Sequence, residues 1–148
     1  MSFDTERAAI EGWFISQWAG QTPVGLDGHK FEPVAESVRL TIQSGDVRQV
    51  SFGRAGGNKA RHIGIVQIEI YVQGGAGSSV WRGYAEAIQD IFLNRNLAAN
   101  GTEATTAADV LVTFGRDGQL PYIASKLEEA PLYRVTVNAP FWREEAKA

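Results

Sequence analysis

The sequence contains no cysteine, which excludes a disulfide framework, a thiolate nucleophile and a cysteine-ligated zinc site. It has only two histidines, His29 and His62, and no HxH or HxxxH spacing joins them as local metal ligands. No stretch approaches the roughly 18 consecutive apolar residues that cross a bilayer as a helix. The first residues, Met1 to Arg7, lack the basic start and apolar core of a signal peptide. An excess of positive charge is missing too. The 14 Lys and Arg stand against 17 Asp and Glu, a formal charge of −3. That argues against a general nucleic-acid binder, whose affinity comes from neutralising phosphates. What remains is ordinary, with 44% hydrophobic and 21% charged residues over 148 positions. This composition fits one soluble α+β or α/β domain, expected over residues 1–143 with a loose charged tail at 144–148.

Periodicity supplies the elements. Asp4 is positioned to cap a helix running to about Trp18, in which Ile10, Trp13, Phe14 and Trp18 form one stripe. Gly20 and Pro23 stop it, and residues 21–36 read as an irregular connection. From Ser37 to Phe52 the period drops to two. Val38, Leu40 and Ile42 precede Ser44-Gly45-Asp46, and Val50 and Phe52 follow, so a β-hairpin is expected. A three-residue loop from Gly45 to Val47 pairs Ile42 with Val50, whereas a two-residue turn would expose half the apolar set.

A long glycine-rich tip, Arg54 to Arg61, leads to a third strand from about His62 to Val72. There Ile63 and Ile65 change parity with Val66, Ile68, Ile70 and Val72, so either a bulge sits near Gly64-Ile65 or the strand is buried on both faces. Ser78 or Ser79 then caps a second helix with Trp81, Tyr84, Ile88, Ile91 and Phe92 on one side and an outer Arg82–Glu86 pair. Residues 94–106 read as a loop, Val110, Val112 and Phe114 as a strand, Arg116-Asp117-Gly118 as a turn, and 121–130 as a short helical turn around Ile123 and Leu127. The last strand alternates from Tyr133 to Phe141. The order α–β–β–β–α–β–β suggests an α+β fold: a mostly antiparallel sheet of about five strands, a long hairpin between strands 2 and 3, and two helices on one face.

A catalytic constellation is not evident. The run Gly74-Gly75-Ala76-Gly77-Ser78-Ser79 lies where phosphate loops lie, yet it lacks the lysine of a Walker loop and the spacing of a dinucleotide fingerprint. No G-x-S-x-G elbow is present. Adjacent carboxylates occur only as Glu128-Glu129 and Glu144-Glu145, and neighbours on regular structure point in different directions. No catalytic residue, cofactor site or metal site is assigned.

Charge placement is more informative. Between Val47 and Ile68 there are four basic residues, Arg48, Arg54, Lys59 and Arg61, and no acid. They read either as a plain solvated loop or as an arm that reaches an acidic partner. Three charges at one tip are few for a monomer, but repeated around a symmetric ring they form a charged annulus. Trp142 falls on the outer parity of the last strand, a placement suited to an interface. Arg48, Arg54, Lys59, Arg61 and Trp142 are therefore the candidate partner or oligomer contacts.

The order of several motifs resembles the bacteriophage tail-terminator-like proteins, a phage-related domain similar in fold to the lambda minor tail protein U. They are Trp18 with Thr22-Pro23-Val24, Phe31-Glu32-Pro33, Arg48-Gln49-Val50-Ser51-Phe52-Gly53, the basic tip, Gly64-Ile65-Val66-Gln67-Ile68, Gly74 to Gly77 and Val135-Thr136-Val137-Asn138-Ala139-Pro140-Phe141. The resemblance implies a non-enzymatic virion protein of the tail–neck, assembled in the host cytoplasm. It implies a hexameric ring that caps the tail tube, stops its polymerisation and joins the head. The implied partners are further copies of the chain, the major tail tube protein and a head-completion or connector protein, with no membrane and no specific nucleic acid. Another neck or head-completion protein, or a small ligand-binding domain using the cleft beside Gly74 to Gly77, are the alternatives.

Overall fold

A computed structural model describes residues 3–49, 58–75, 77–115 and 118–147. Helix α1 spans Phe3–Trp18 and buries Ala9, Ile10, Trp13, Phe14 and Trp18. Asp4 lies inside its first turn rather than before it, where its carboxylate pairs with Arg7 at 2.8 Å. Two buried indoles hold the helix in place. The Trp13 N–H donates to the Ile91 carbonyl at 2.8 Å, and the Trp18 N–H donates to the Thr22 hydroxyl at 3.0 Å. Helix α2 spans Ser79–Ile91 and buries Trp81, Ala85, Ile88 and Ile91. Ser78 sits at its N-cap without a side-chain capping bond. Arg82 donates to the Ser78 hydroxyl at 3.2 Å and lies over the Trp81 ring instead of pairing with Glu86.

The strands are β1 (Val24–Gly25), β2 (Ser37–Gln49), β3 (Asn58–Gln73), β4 (Asn96–Ala98), β5 (Val110–Phe114), β6 (Tyr122–Glu129) and β7 (Leu132–Lys147). They form one sheet in the order β1-β2-β3-β7-β5-β4, with β6 also paired to β7. The fold is α+β, as the periodicity indicates, but the sheet has seven strands and is mixed, because β1 runs parallel to β2. The strands missing from the sequence reading are the short ones, β1 and β4, and the exposed one, β6. Residues 121–130 are not a helical turn. They lie extended, with Ile123 opposite Val137 and Leu127 opposite Arg134.

The hairpin expected within 37–52 is also corrected. Residues 37–49 form a single strand, and Leu40 faces Ile68 and Ile42 faces Val66. Gly45 and Asp46 together oppose Ile63, between the pairs Ser44–Gly64 and Val47–His62. That geometry is a β-bulge. The bulge lies in β2 and not in β3, which stays in continuous register with β7 from Asn58–Lys147 to Gln73–Leu132, so Ile63 and Ile65 point to the face opposite Val66, Ile68 and Ile70 and are half-buried there. Residues 144–147, expected as a loose tail, continue β7 along β3. Val50, Phe52 and the turn at Arg116-Asp117 lie outside the described residues.

The helix stripes and one face of the strands meet in a single cluster. An aromatic series crosses it, with ring centroids 5.5 Å apart for Phe14–Trp18, 6.0 Å for Phe14–Phe92, 4.9 Å for Phe92–Phe114 and 5.7 Å for Phe114–Phe141. Its last ring lies against Gly64, where a Cβ would come within 2.6 Å of Phe141 and 2.9 Å of the Gln43 carbonyl oxygen. Only glycine leaves room for that ring beside the bulge.

On the opposite face, Phe31 covers Tyr71 with ring centroids 5.9 Å apart. The Tyr71 hydroxyl donates to Glu69 at 2.6 Å. Burial, and then the Glu69 carboxylate, push its pKa up from 10.0 to about 12. The unfolded chain ionises first, so this contribution to stability is complete below about pH 10 and is lost as pH rises towards about 12. The urea midpoint is expected to fall across that window, and Tyr71→Phe is expected to flatten the fall.

Candidate functional site

The long strands β2, β3 and β7 continue side by side beyond the bulge, and most of the expected contact residues lie there. Arg48 on β2, Arg61 on β3 and Glu144 on β7 are consecutive register partners in one row. Arg61 pairs with Glu144 at 2.9 Å, and its guanidinium carbon stands 3.5 Å from the Trp142 ring centroid. Such stacking shields the ring face and fixes the guanidinium plane. Arg48 is exposed and makes a 3.5 Å contact with Asp46 in the bulge. Lys59 is exposed two positions beyond Arg61, on the same face by strand alternation. The structure thus brings Arg48, Lys59, Arg61 and Trp142 onto one face of three strands. Arg54 lies outside the described residues.

That face is less basic than the sequence interval suggested, because β7 returns to it an acid, Glu144, that is distant along the chain. Strand alternation sends the adjacent pair to opposite sides. Glu144 meets Arg61, while Glu145 turns to the helix side, 3.1 Å from His62 and 3.0 Å from Arg143. Arg143 is 1% exposed and its Nε donates to Glu6 of α1, itself 3% exposed, at 3.0 Å. Phe3 packs edge-on against His62, at 5.4 Å between centroids, and 5.3 Å from the Arg143 guanidinium. A buried ion cluster therefore ties the start of α1 beneath the three-stranded face. Sequence reading missed Glu6, Arg143 and Glu145. The one available signal was an acid on the first helical turns and an arginine on the inward parity of the last strand.

Beside Trp142 lies an open cleft of ≈ 680 Å³, lined among others by Lys59, Thr106, Thr113, Glu144 and Glu145. A smaller one of ≈ 320 Å³ adjoins Gly75 and Gly77, with Arg82 and Lys126 against Trp81. In the glycine loop itself the Gly74 N–H donates to the Pro131 carbonyl at 3.0 Å. His29 is exposed, whereas His62 is buried. Among the described residues, no group of three or more His, Asp or Glu is arranged to hold a metal ion, and no helix is long and apolar enough to cross a membrane.

Comparison with known families adds to this geometry. The family model described as phage tail terminator protein matches residues 7–141. The chain belongs to that family. Phage tail terminators are structural proteins, so the family is not one of enzymes. Among solved structures, a chain labelled only by a sequence identifier is similar in fold, with a TM-score of 0.66, 19% identity, and coverage of 97% of this chain and 96% of that one. A chain from the virion of a native gene transfer agent particle aligns over 99% of this tail terminator and 100% of its own length at 15% identity, with a TM-score of 0.44. Comparison with curated proteins found no match.

Proposed function

We propose that this tail terminator closes the end of a phage tail tube as a ring, stops the tube's polymerisation and forms part of the joint to the head. Its partners are then further copies of itself, hexameric in the family pattern, the major tail tube protein and a head-completion or connector protein. Its place is the tail–neck of the virion, reached after assembly in the host cytoplasm. The observation that carries this reading is the three-stranded face on which Arg48, Lys59, Arg61 and Trp142 converge. One copy offers few charges. Repeated by rotation, the face becomes an annulus whose field acts on every subunit of the tube end at once. Rotation also makes subunit contacts heterologous, each copy presenting one side to the next.

The test is direct. Addition of the protein to polymerising tail tube protein is expected to shorten the tube-length distribution, with the terminator seen by negative-stain imaging at tube ends. Tubes that grow equally long with and without it overturn the reading.

A further inference from the structure

Strand β6 is an edge strand of eight residues. It pairs with β7 along one edge, and along its other edge no strand pairs with it among the described residues. It is also strewn with exposed apolar side chains: Tyr122 at 46%, Ile123 at 43% and Leu127 at 46%, with Leu120 just before it at 44%. A long open edge with apolar side chains is a template for pairing with another chain, and soluble proteins normally blunt such edges. The opposite side of the sheet is open as well. β1 covers β2 only at Val38 and Arg39, and Asp27 accepts the Ile42 N–H at 3.1 Å. From residue 43 to 49 the outer edge of β2 is exposed, and it includes Val47 at 53%.

We infer that the open edge of β6 docks the open distal edge of β2 from a second copy of this chain, extending the sheet from subunit to subunit. Three features of the fold support that one occupant. First, the two edges lie on opposite sides of the path β2-β3-β7-β6, which is the arrangement a heterologous, rotating contact requires. Second, every step along that path is antiparallel, so β2 and β6 point in opposite directions. Rotation about an axis along the strands preserves those directions. The joint is therefore antiparallel, the better-bonded of the two ladder types. Third, the open stretches are offset along the strands. β6 lies beside Asn138 to Leu132 of β7, whereas residues 43–49 of β2 lie towards the other end of the sheet. A sheet that closes on itself needs such a stagger because its strands tilt. Each edge also carries charges of both signs, Asp46 with Arg48 on β2 and Lys126 with Glu128 and Glu129 on β6, so neither presents a single sign to the joint.

This inference rests on the ring reading above, and cysteine mapping separates the two because the chain has no cysteine of its own. Val47→Cys and Leu127→Cys chains are assembled on tail tube ends, singly and mixed, and treated with a flexible bis-maleimide. The mixture is expected to give a covalent dimer, and neither variant alone. The double substitution Tyr122→Lys with Leu127→Lys, at two exposed positions, is expected to keep the circular dichroism spectrum. It should raise the concentration for half-assembly at least about tenfold. Cross-linking of either variant with itself would overturn the inference, as would no cross-link in the mixture or unchanged assembly of the lysine variant, while the ring reading stands. A wild-type chain that remains monomeric by mass at tube ends overturns both.

Discussion

Replacing Arg143 by Met is expected to lower the unfolding free energy by about 3–5 kcal/mol, the range for breaking one partner out of a buried ion pair. Arg143 is 1% exposed and Glu6 3%, and the 3.0 Å contact between them links α1 to β7. Without the guanidinium, the buried Glu6 carboxylate loses the opposite charge that offsets its desolvation. Glu145 keeps its contact with His62 and so suffers less. The double variant Glu6→Leu with Arg143→Met removes both charges together and should recover most of the loss, since a buried pair contributes little beyond a packed apolar one. Urea midpoints of the single and double variants measure this as a double-mutant cycle. Additive losses in the double variant would mean that the two groups do not act as a pair.

The second large effect is on assembly, with little on stability. Reversal of Arg48, Arg54 and Lys59 to Glu is expected to abolish tube capping, and at Arg48 and Lys59, which are exposed, each change should move the unfolding free energy by no more than about 0.5 kcal/mol. Arg48 and Asp46 are both exposed, and such pairs contribute little. Arg61 is spared deliberately, because its contacts with Glu144 and Trp142 belong to the packing of the strands. Capping by the wild type should also weaken between about 0.05 and 0.5 M salt, as screening shortens the reach of the annulus. Unchanged tube lengths with the triple variant would remove these charges from the mechanism.

The two helices were legible because burial at a period of 3.6 leaves a stripe, and Ile10, Trp13, Phe14 and Trp18 are all inside. Strand periodicity likewise placed Val112 and Phe114 of β5 and Val135, Val137, Ala139 and Phe141 of β7 inside, although Leu111, Thr136 and Asn138 on the other faces are buried too. β6 left no such trace. With solvent on both sides, Ile123 and Leu127 fall at a spacing that reads as helical, and only β7 beside them makes the segment extended. The resemblance to tail terminators was also within reach, because it depends on the order of many fold-supporting motifs rather than on one site.

Fold class, the main apolar faces and the family were readable from the residues alone. These follow from local periodicity and from residue types that each segment carries alone. Tertiary structure, by contrast, selects between a chain reversal and a bulge at Ser44-Gly45-Asp46, because that local chemistry serves both and β3 must be alongside to choose between them. It alone set Glu144 against Arg61 and Glu6 against Arg143, groups 83 and 137 positions apart. Charges so distant along the chain acquire partners only when burial of the core fixes the register of the strands between them, and that register turns an apparently basic tip into a face of mixed sign.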